Sequence, residues 1–236
     1  FIRVTTPFPS IALGLVMVGA CPGGNISNFM TKLAGGNAAL SVSLTAFASI
    51  AALVMTPLNF ALWGNAYEPT SEILKRVSVD PLEVVRLVLL ILGIPLLLGM
   101  MLQYYRSKLA TKISKILKPV SILIFLAFIA VAFFDNLDIF MNHIHYVLFL
   151  VILHNGLLLL VGFLFARANR LSYIDQKTLS IETGIQNSGL GLLLVFSFFS
   201  SLGGMALLVA FWAIWDIASG LLIAYFWSDK KKKKAT

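Results

Sequence analysis

The 236-residue chain is 59% hydrophobic and 12% charged, with mean hydropathy +0.92 and a formal net charge of +8. Soluble domains average about 45–50% apolar and 25% charged residues, so this balance excludes an ordinary soluble globule and describes a polytopic all-α membrane protein. The positive charge does not argue for nucleic acid. It sits in the run Lys230–Lys234 and in short connections, and no basic, aromatic surface segment is long enough for such a domain.

The chain opens Phe1-Ile2-Arg3 without Met and without the basic, apolar and small-residue succession of a cleavable signal, so spans are expected before it. From there, apolar stretches near the ~20 residues a helical span requires recur seven times. They run over Phe8–Leu33, Asn37–Trp63, Pro81–Tyr105, Ile116–Phe134, Tyr146–Ala166, Leu179–Phe199 and Gly204–Trp227. The longest connection, Gly64–Asp80, is too short for a separate domain. Cys21 stands alone and reads as a small buried thiol.

Lys and Arg concentrate in cytoplasmic connections. One alternation holds Lys32, then Arg106, Lys108, Lys112, Lys115 and Lys118, then Arg167, Arg170 and Lys177, then Lys230–Lys234. The other holds only Arg3, Lys75, Arg76 and Arg86. The C-terminus is therefore expected in the cytoplasm, where its lysines also attract anionic lipid. His143 and His145 lie on the outer side and read as interfacial side chains, since no third metal ligand is in view.

The first span is interrupted at Cys21-Pro22-Gly23-Gly24. Pro22 removes a backbone donor and the two glycines favour non-helical dihedrals, so a broken helix is predicted. Non-helical backbone at membrane depth survives only where protein or a water-filled cavity satisfies it. The sixth span repeats the plan: Gly184, Gly189 and Gly191 surround Gln186 and Asn187, and Glu182 is a carboxylate inside an otherwise apolar stretch. Such a carboxylate is costly and marks a functional site by default. Interrupted spans at matching places in two halves point to the binding site of a secondary transporter. Because the two spans run in opposite directions, the repeat is inverted. Residues 1–63 read as the end of the first half and 64–236 as the second.

Oxygen groups cluster at these places. Ser41 and Thr45 share a helical face, as do Glu182 and Gln186. Oxygen ligands suit hard cations, and a single carboxylate among neutral oxygens favours a monovalent ion.

Cys21-Pro22-Gly23-Gly24-x-x-Ser27-Asn28, then Leu40-Ser41-Val42 and Thr45, resembles the signature of the bile acid:sodium symporter family, and so does Ser180-Ile181-Glu182-x-Gly184-x-Gln186-Asn187-Ser188-Gly189. The resemblance covers the whole chain as spans four to ten of a ten-span fold. It implies a core domain in which two broken helices cross, moving against a panel domain. It further implies one sodium site from Ser27, Asn28, Ser41, Thr45 and Glu182. A second would use Glu182, Gln186 and the carbonyls of Thr183 and Ile185, with a glutamine from a span before Phe1. On that expectation the chain as given cannot complete the second site. Asn25, the amide of Ile26 and Asn187 are the implied substrate contacts.

The seventh span departs from the family's Trp-His-Asn pattern with Trp215-Asp216-Ile217. The usual amide position is Ile217, and Asp216 becomes an intramembrane carboxylate that binds substrate, relays a proton or pairs with a partner. His154-Asn155 reads as interhelical hydrogen bonding.

The function implied is sodium-coupled import of an organic anion, bile-acid-like, a steroid sulphate or a small carboxylate, across a plasma or inner membrane. Proton coupling through Glu182 and Asp216 and a non-transporting receptor or scaffold are the alternatives. No cofactor beyond coupling sodium is expected. Neither paired intramembrane aspartates nor His-Glu-x-x-His occurs, so enzymatic activity is not expected.

Overall fold

The protein is described from a computed structural model covering residues 8–77 and 81–228. Arg3, Asp80 and Lys230–Lys234 lie outside the described residues.

Eleven helices are described: α1 (Pro9–Ala20), α2 (Asn25–Leu33), α3 (Ala38–Asn65), α4 (Glu68–Val77), α5 (Pro81–Val88), α6 (Ile94–Tyr105), α7 (Ser107–Phe134), α8 (Leu137–Ala168), α9 (Tyr173–Gly184), α10 (Ser188–Phe198) and α11 (Gly203–Trp227). No strand of more than an isolated bridge occurs among the described residues. Among the described residues, five continuous stretches are long and apolar enough to cross a membrane: Ala38–Asn65, Val85–Tyr105, Ser107–Phe134, Phe140–Ala168 and Gly203–Trp227. The pairs α1–α2 and α9–α10 supply the two interrupted spans. The chain is an all-α, multi-pass integral membrane protein.

Local chemistry explains the interruptions. Between α1 and α2, Cys21 and Gly24 are extended, as Pro22 and the glycines predict. The turn from α2 to α3 needs Gly35 at φ 69°, with the Gly36 N–H returning to the Thr31 carbonyl at 2.8 Å. In the third span Pro95 stands just after a π-helical turn, Leu89–Gly93. A proline cannot donate to the carbonyl four residues back and its ring crowds that carbonyl, so the backbone widens there.

α11 is the centre. It packs against α1, α2, α7, α8 and α10, and Trp212 is fully enclosed. The main apolar core joins Leu13, Met17, Leu192, Leu194, Leu208 and Trp212 from α1, α10 and α11. α8 and α9 are the most intimate neighbours: a Cβ at Gly162 would stand 2.7 Å from Thr183 Oγ1, and one at Gly184 would collide with Leu159. Small residues that let backbones approach are how helices associate where lipid offers no hydrophobic contrast. The outlying pair α6–α7 meets the core chiefly along α11.

Three helices begin earlier than their apolar stretches, and one connection is helical. α7 starts at Ser107 rather than Ile116, so Lys108, Lys112 and Lys115 lie on the helix itself; their long stems let the charges reach the interface. α8 starts at Leu137 and takes in His143 and His145, with the His143 ring edge-on to Phe8 at 4.8 Å. α9 starts at Tyr173, capped by Ser172. The 64–80 connection holds α4, whose Thr70, Ile73, Leu74 and Val77, at helical spacing, face the core.

The helix ends near Lys177 are tied by polar groups. Lys177 is 3% exposed; its Nζ donates to the Ala34 carbonyl after α2 at 3.1 Å and to the Trp227 carbonyl of α11 at 2.9 Å, and it lies 5.0 Å over the Tyr173 ring. One cation thus satisfies two helix C-termini at the negative ends of their dipoles. Nearby, Asn37 caps α3 through the Leu40 N–H and donates its amide to Asp175 at 2.9 Å. That bond, with the Ser172 hydroxyl, holds the Asp175 carboxyl below the usual carboxylate range. A lowered native value stabilises the fold above the unfolded value of about 3.9 and loses that contribution as pH falls through the native value.

Two outcomes are expected. Lys177→Met should destabilise the detergent-solubilised protein by about 2 kcal/mol, the scale of a hydrogen bond to a charged group, while Lys112→Met on the open face of α7 leaves the melting temperature within error. The loss of stability on acidification below about pH 4 should shrink in Asp175→Asn, as read from melting temperature against pH.

Candidate ion and substrate site

The two breaks meet each other. Gly23 and Gln186 form an antiparallel bridge, with the Gly24 N–H on the Ile185 carbonyl at 3.0 Å and the Asn187 N–H on the Pro22 carbonyl at 2.8 Å. The close approach requires glycine: a Cβ on Gly23 would lie 2.6 Å from Glu182 Oε1, and one on Gly24 would lie 2.6 Å from the Gln186 carbonyl oxygen. The carbonyls at the ends of α1 and α9 are satisfied from neighbouring spans. Thr56 Oγ1 of α3 donates to the Ala20 carbonyl at 2.8 Å, and Asn155 Nδ2 of α8 donates to the Gly184 carbonyl at 2.9 Å.

Glu182 sits one helical turn before the crossing and is 9% exposed. Three hydroxyls reach its carboxylate. Ser27 Oγ and Ser41 Oγ donate to Oε2 at 2.6 and 3.1 Å, and Thr45 Oγ1 donates to Oε1 at 2.6 Å. Thr45 Oγ1 also lies 3.2 Å from Asn28 Oδ1. The five side chains that the resemblance groups in one sodium site, from α2, α3 and α9, therefore surround one point. Each hydroxyl has one proton and two lone pairs. It donates to the carboxylate when nothing else is there, and it can turn its lone pairs to a cation without moving its oxygen.

The second group is arranged differently. Gln186 Nε2 donates to the Thr183 carbonyl at 2.7 Å, the Ile185 carbonyl accepts from Gly24, and Gln186 Oε1 is buried without a hydrogen-bond partner among the described residues. Glu182, Thr183, Ile185 and Gln186 thus share the end of α9, with an acceptor left over.

Asn25, Ile26, Asn187 and Asp216 all line one cavity of about 300 Å³, closed on the far side by Ser121 and Phe125 of α7. Asn187 caps α10 through the Leu190 N–H at 3.1 Å, so its side-chain oxygen is committed there. Asp216 is 3% exposed; its Oδ2 accepts from the Gln186 N–H at 3.2 Å and from Ser188 Oγ at 3.0 Å. Ile217, at the family's amide position, is 39% exposed and does not line the cavity.

A model described as the sodium bile acid symporter family matches residues 1–143, more than half the chain, and this includes the first break. The chain belongs to the sodium bile acid symporter family. It is 36% identical over 95% of its length to an uncharacterized sodium-dependent transporter, YocS, of Bacillus subtilis, of which it covers 66%. It is 35% identical over 82% of its length to a probable chloroplastic sodium/metabolite cotransporter, BASS1, of Arabidopsis thaliana, covering 46% of it. Over 97% of its length it is 30% identical to a mouse sodium-dependent organic anion transporter, covering 60% of it. The chain therefore spans about half to two thirds of the length of these relatives. The family is one of transporters and not of enzymes.

One residue that organises the site escaped the sequence. Thr56 gave a signal only in retrospect, as a hydroxyl beside Pro57 inside a span. Asn155 was expected to bond between helices; its particular partners are the Gly184 carbonyl and, at 3.2 Å, Trp215 Nε1. His154 packs edge-on to Trp212 at 4.9 Å.

Asn155→Leu strands both partners in an apolar setting. A drop in stability of about 2–6 kcal/mol is expected, from one to three for each unsatisfied group, measured by thermal unfolding in detergent. Gly24→Ala, which forces the crossing apart, should cost about 1–3 kcal/mol by the same measurement.

Proposed function

We propose that the intact protein is a sodium-coupled symporter of an organic anion that works by alternating access, with its C-terminus in the cytoplasm. The observation that carries the reading is the convergence of Ser27, Ser41 and Thr45 on Glu182 across two broken helices. A carboxylate in the bilayer interior costs about 2.5–3.5 kcal/mol on insertion scales, and a bound cation removes that charge while drawing α2, α3 and α9 together. Sodium suits a shell of hydroxyl, amide and carboxylate oxygens. The names of the relatives, which include sodium-dependent and sodium/metabolite transporters, support the same ion.

The anion belongs in the adjoining cavity, where α2 starts at Asn25 with no side chain capping it. The first N–H groups of a helix and the positive end of its dipole form an anion site. Sodium at Glu182 makes that site more favourable, and by linkage the anion must tighten sodium by the same factor, typically about 1–3 kcal/mol.

In the full-length protein, Glu182→Ala should abolish sodium-driven uptake, with less than a tenth of the wild-type rate remaining in proteoliposomes under a sodium gradient. Wild-type sodium dependence in that variant would sink the reading. Uptake driven by a pH gradient without sodium would replace it with proton coupling through Glu182 and Asp216.

A further inference from the structure

The first turns of α7 carry charge that the described protein does not balance. Arg106, Lys108, Lys112 and Lys115 are exposed, and none of them stands within 4.0 Å of a carboxylate among the described residues. The sequence offers none nearby, since no acidic residue lies between Glu83 and Asp135. Asp135 closes the far end of α7, about 30 Å along the helix from Lys115.

Lys108, Lys112 and Lys115 are spaced four and then three residues apart, so they form one stripe. The opposite face of the same turns, with Ala110, Ile113 and Leu117, lines a cavity of about 600 Å³ shared with Asn25 of α2 and Gln103 of α6. The stripe therefore points away from the protein. Its depth follows from length. α7 has 28 residues, about 42 Å, against a hydrocarbon core of about 30 Å, and its apolar part begins at Ile116. Ser107 to Lys115 therefore run through the headgroup layer. Tyr104 and Tyr105, 83% and 71% exposed just before them, are the kind of side chain that favours that depth.

Neither helix stability nor topology accounts for the stripe. Like charges four apart repel, and cations in the first turns face the positive end of the helix dipole. An orienting signal needs basic residues on one side of the membrane and is indifferent to the face they share. We propose that this stripe is a contact for anionic phospholipid headgroups, which supply the counter-charge that the described residues lack. With the C-terminus in the cytoplasm, as proposed above, the start of α7 lies on the cytoplasmic side, whose leaflet carries the anionic lipids. The lysine stems lie along the apolar boundary while the ammonium groups reach the headgroups. The contact holds α7 from outside, at the level where its other face walls the cavity.

The test uses full-length protein in a non-ionic detergent, titrated with dioctanoyl phosphatidylglycerol, dioctanoyl phosphatidylcholine or inorganic phosphate. Acylation of individual lysines by a neutral amine reagent is followed by mass spectrometry. Phosphatidylglycerol should slow acylation of Lys108, Lys112 and Lys115 threefold or more and leave Lys75 of α4 unchanged, and about 0.5 M potassium chloride should remove the protection. Phosphatidylcholine and phosphate should have no effect. In thermal-shift titrations, the apparent affinity for phosphatidylglycerol should fall tenfold or more, about 1.4 kcal/mol, when Lys108, Lys112 and Lys115 are all replaced by Gln. Replacement of all three by Arg, which keeps the charge, should retain it. Equal protection by the two lipids, protection by phosphate alone, protection of Lys75 as strong as that of the stripe, or an affinity unchanged by the three glutamines overturns the contact and leaves the transport reading standing. Acylation is read on the wild-type protein, so it decides even where a variant folds poorly.

Discussion

Backbone that leaves the helix inside a bilayer must find its hydrogen bonds within the protein, and the rest of this structure follows from how that need is met. Two unwound segments lie antiparallel and exchange bonds, Gly24 with Ile185 and Asn187 with Pro22. Each segment has just left a helix end whose last carbonyl is satisfied by a side chain from another span, Thr56 for α1 and Asn155 for α9. The requirement propagates outward. Glycines are needed at 23 and 24 because any Cβ would strike Glu182 or Gln186, and Gly220 is needed because a Cβ there would meet Ile185 and Met30 at 2.8 Å. The crossing brings Glu182 within reach of α2 and α3, so the geometry that satisfies the backbone also assembles the oxygen cluster.

The body around the crossing is joined by helices from both halves, and α6 and α7 lie to one side of it. α1, α2, α3, α8, α9, α10 and α11 share apolar packing, the Schellman turn at Gly35 and the Lys177 tie between two helix ends. α6 and α7 pack on each other and touch this body mainly at α11. The cavity lies on the seam, lined by Ser121 and Phe125 of α7 together with Asn25, Asn187 and Asp216. In the proposed cycle, displacement of α7 along this seam changes access to the cavity while the crossing and its bonds stay intact. A well-packed body resists continuous deformation, so rigid-body displacement at such a seam is the cheaper motion.

The sequence made the breaks legible because lipid tolerates so few exceptions: Pro22-Gly23-Gly24 and Glu182 with Gly184 are conspicuous in apolar surroundings. The seven spans follow from length and hydropathy alone, and each was placed to within about ten residues. What hydropathy misses is helix outside the apolar band. The beginnings of α7, α8 and α9 carry charge and look like connections, yet a helix continues into the interface at little cost because water serves its exposed groups. α4 was readable from the spacing of Thr70, Ile73, Leu74 and Val77, a signal of period rather than hydrophobicity. Lys177 could not be found by composition, since a lysine near a helix end ordinarily marks topology, and only the fold brings Ala34 and Trp227 to its ammonium. Thr56 belongs to the same class, because its worth depends on which carbonyl the fold leaves open, whereas Asn155 was legible as a bond between helices and only its partners were not.

The ion cluster and the cavity are wired together through one short segment. Glu182 closes the last turn of α9; four residues on, Gln186 bridges to Gly23 and gives its N–H to Asp216, and Ser188 gives its hydroxyl to the same oxygen. A cation that fixes Glu182 against Ser27, Ser41 and Thr45 therefore also fixes the backbone that orients Asp216. A ligand in the adjoining cavity would rest on the same segment from the other side, at Asn187 and Ser188, which line it. Coupling of this kind needs no long pathway. It requires that residues 182–188 occupy one arrangement when both sites are filled and lose part of it when either is empty, and thermodynamic linkage makes the effect of each site on the other equal.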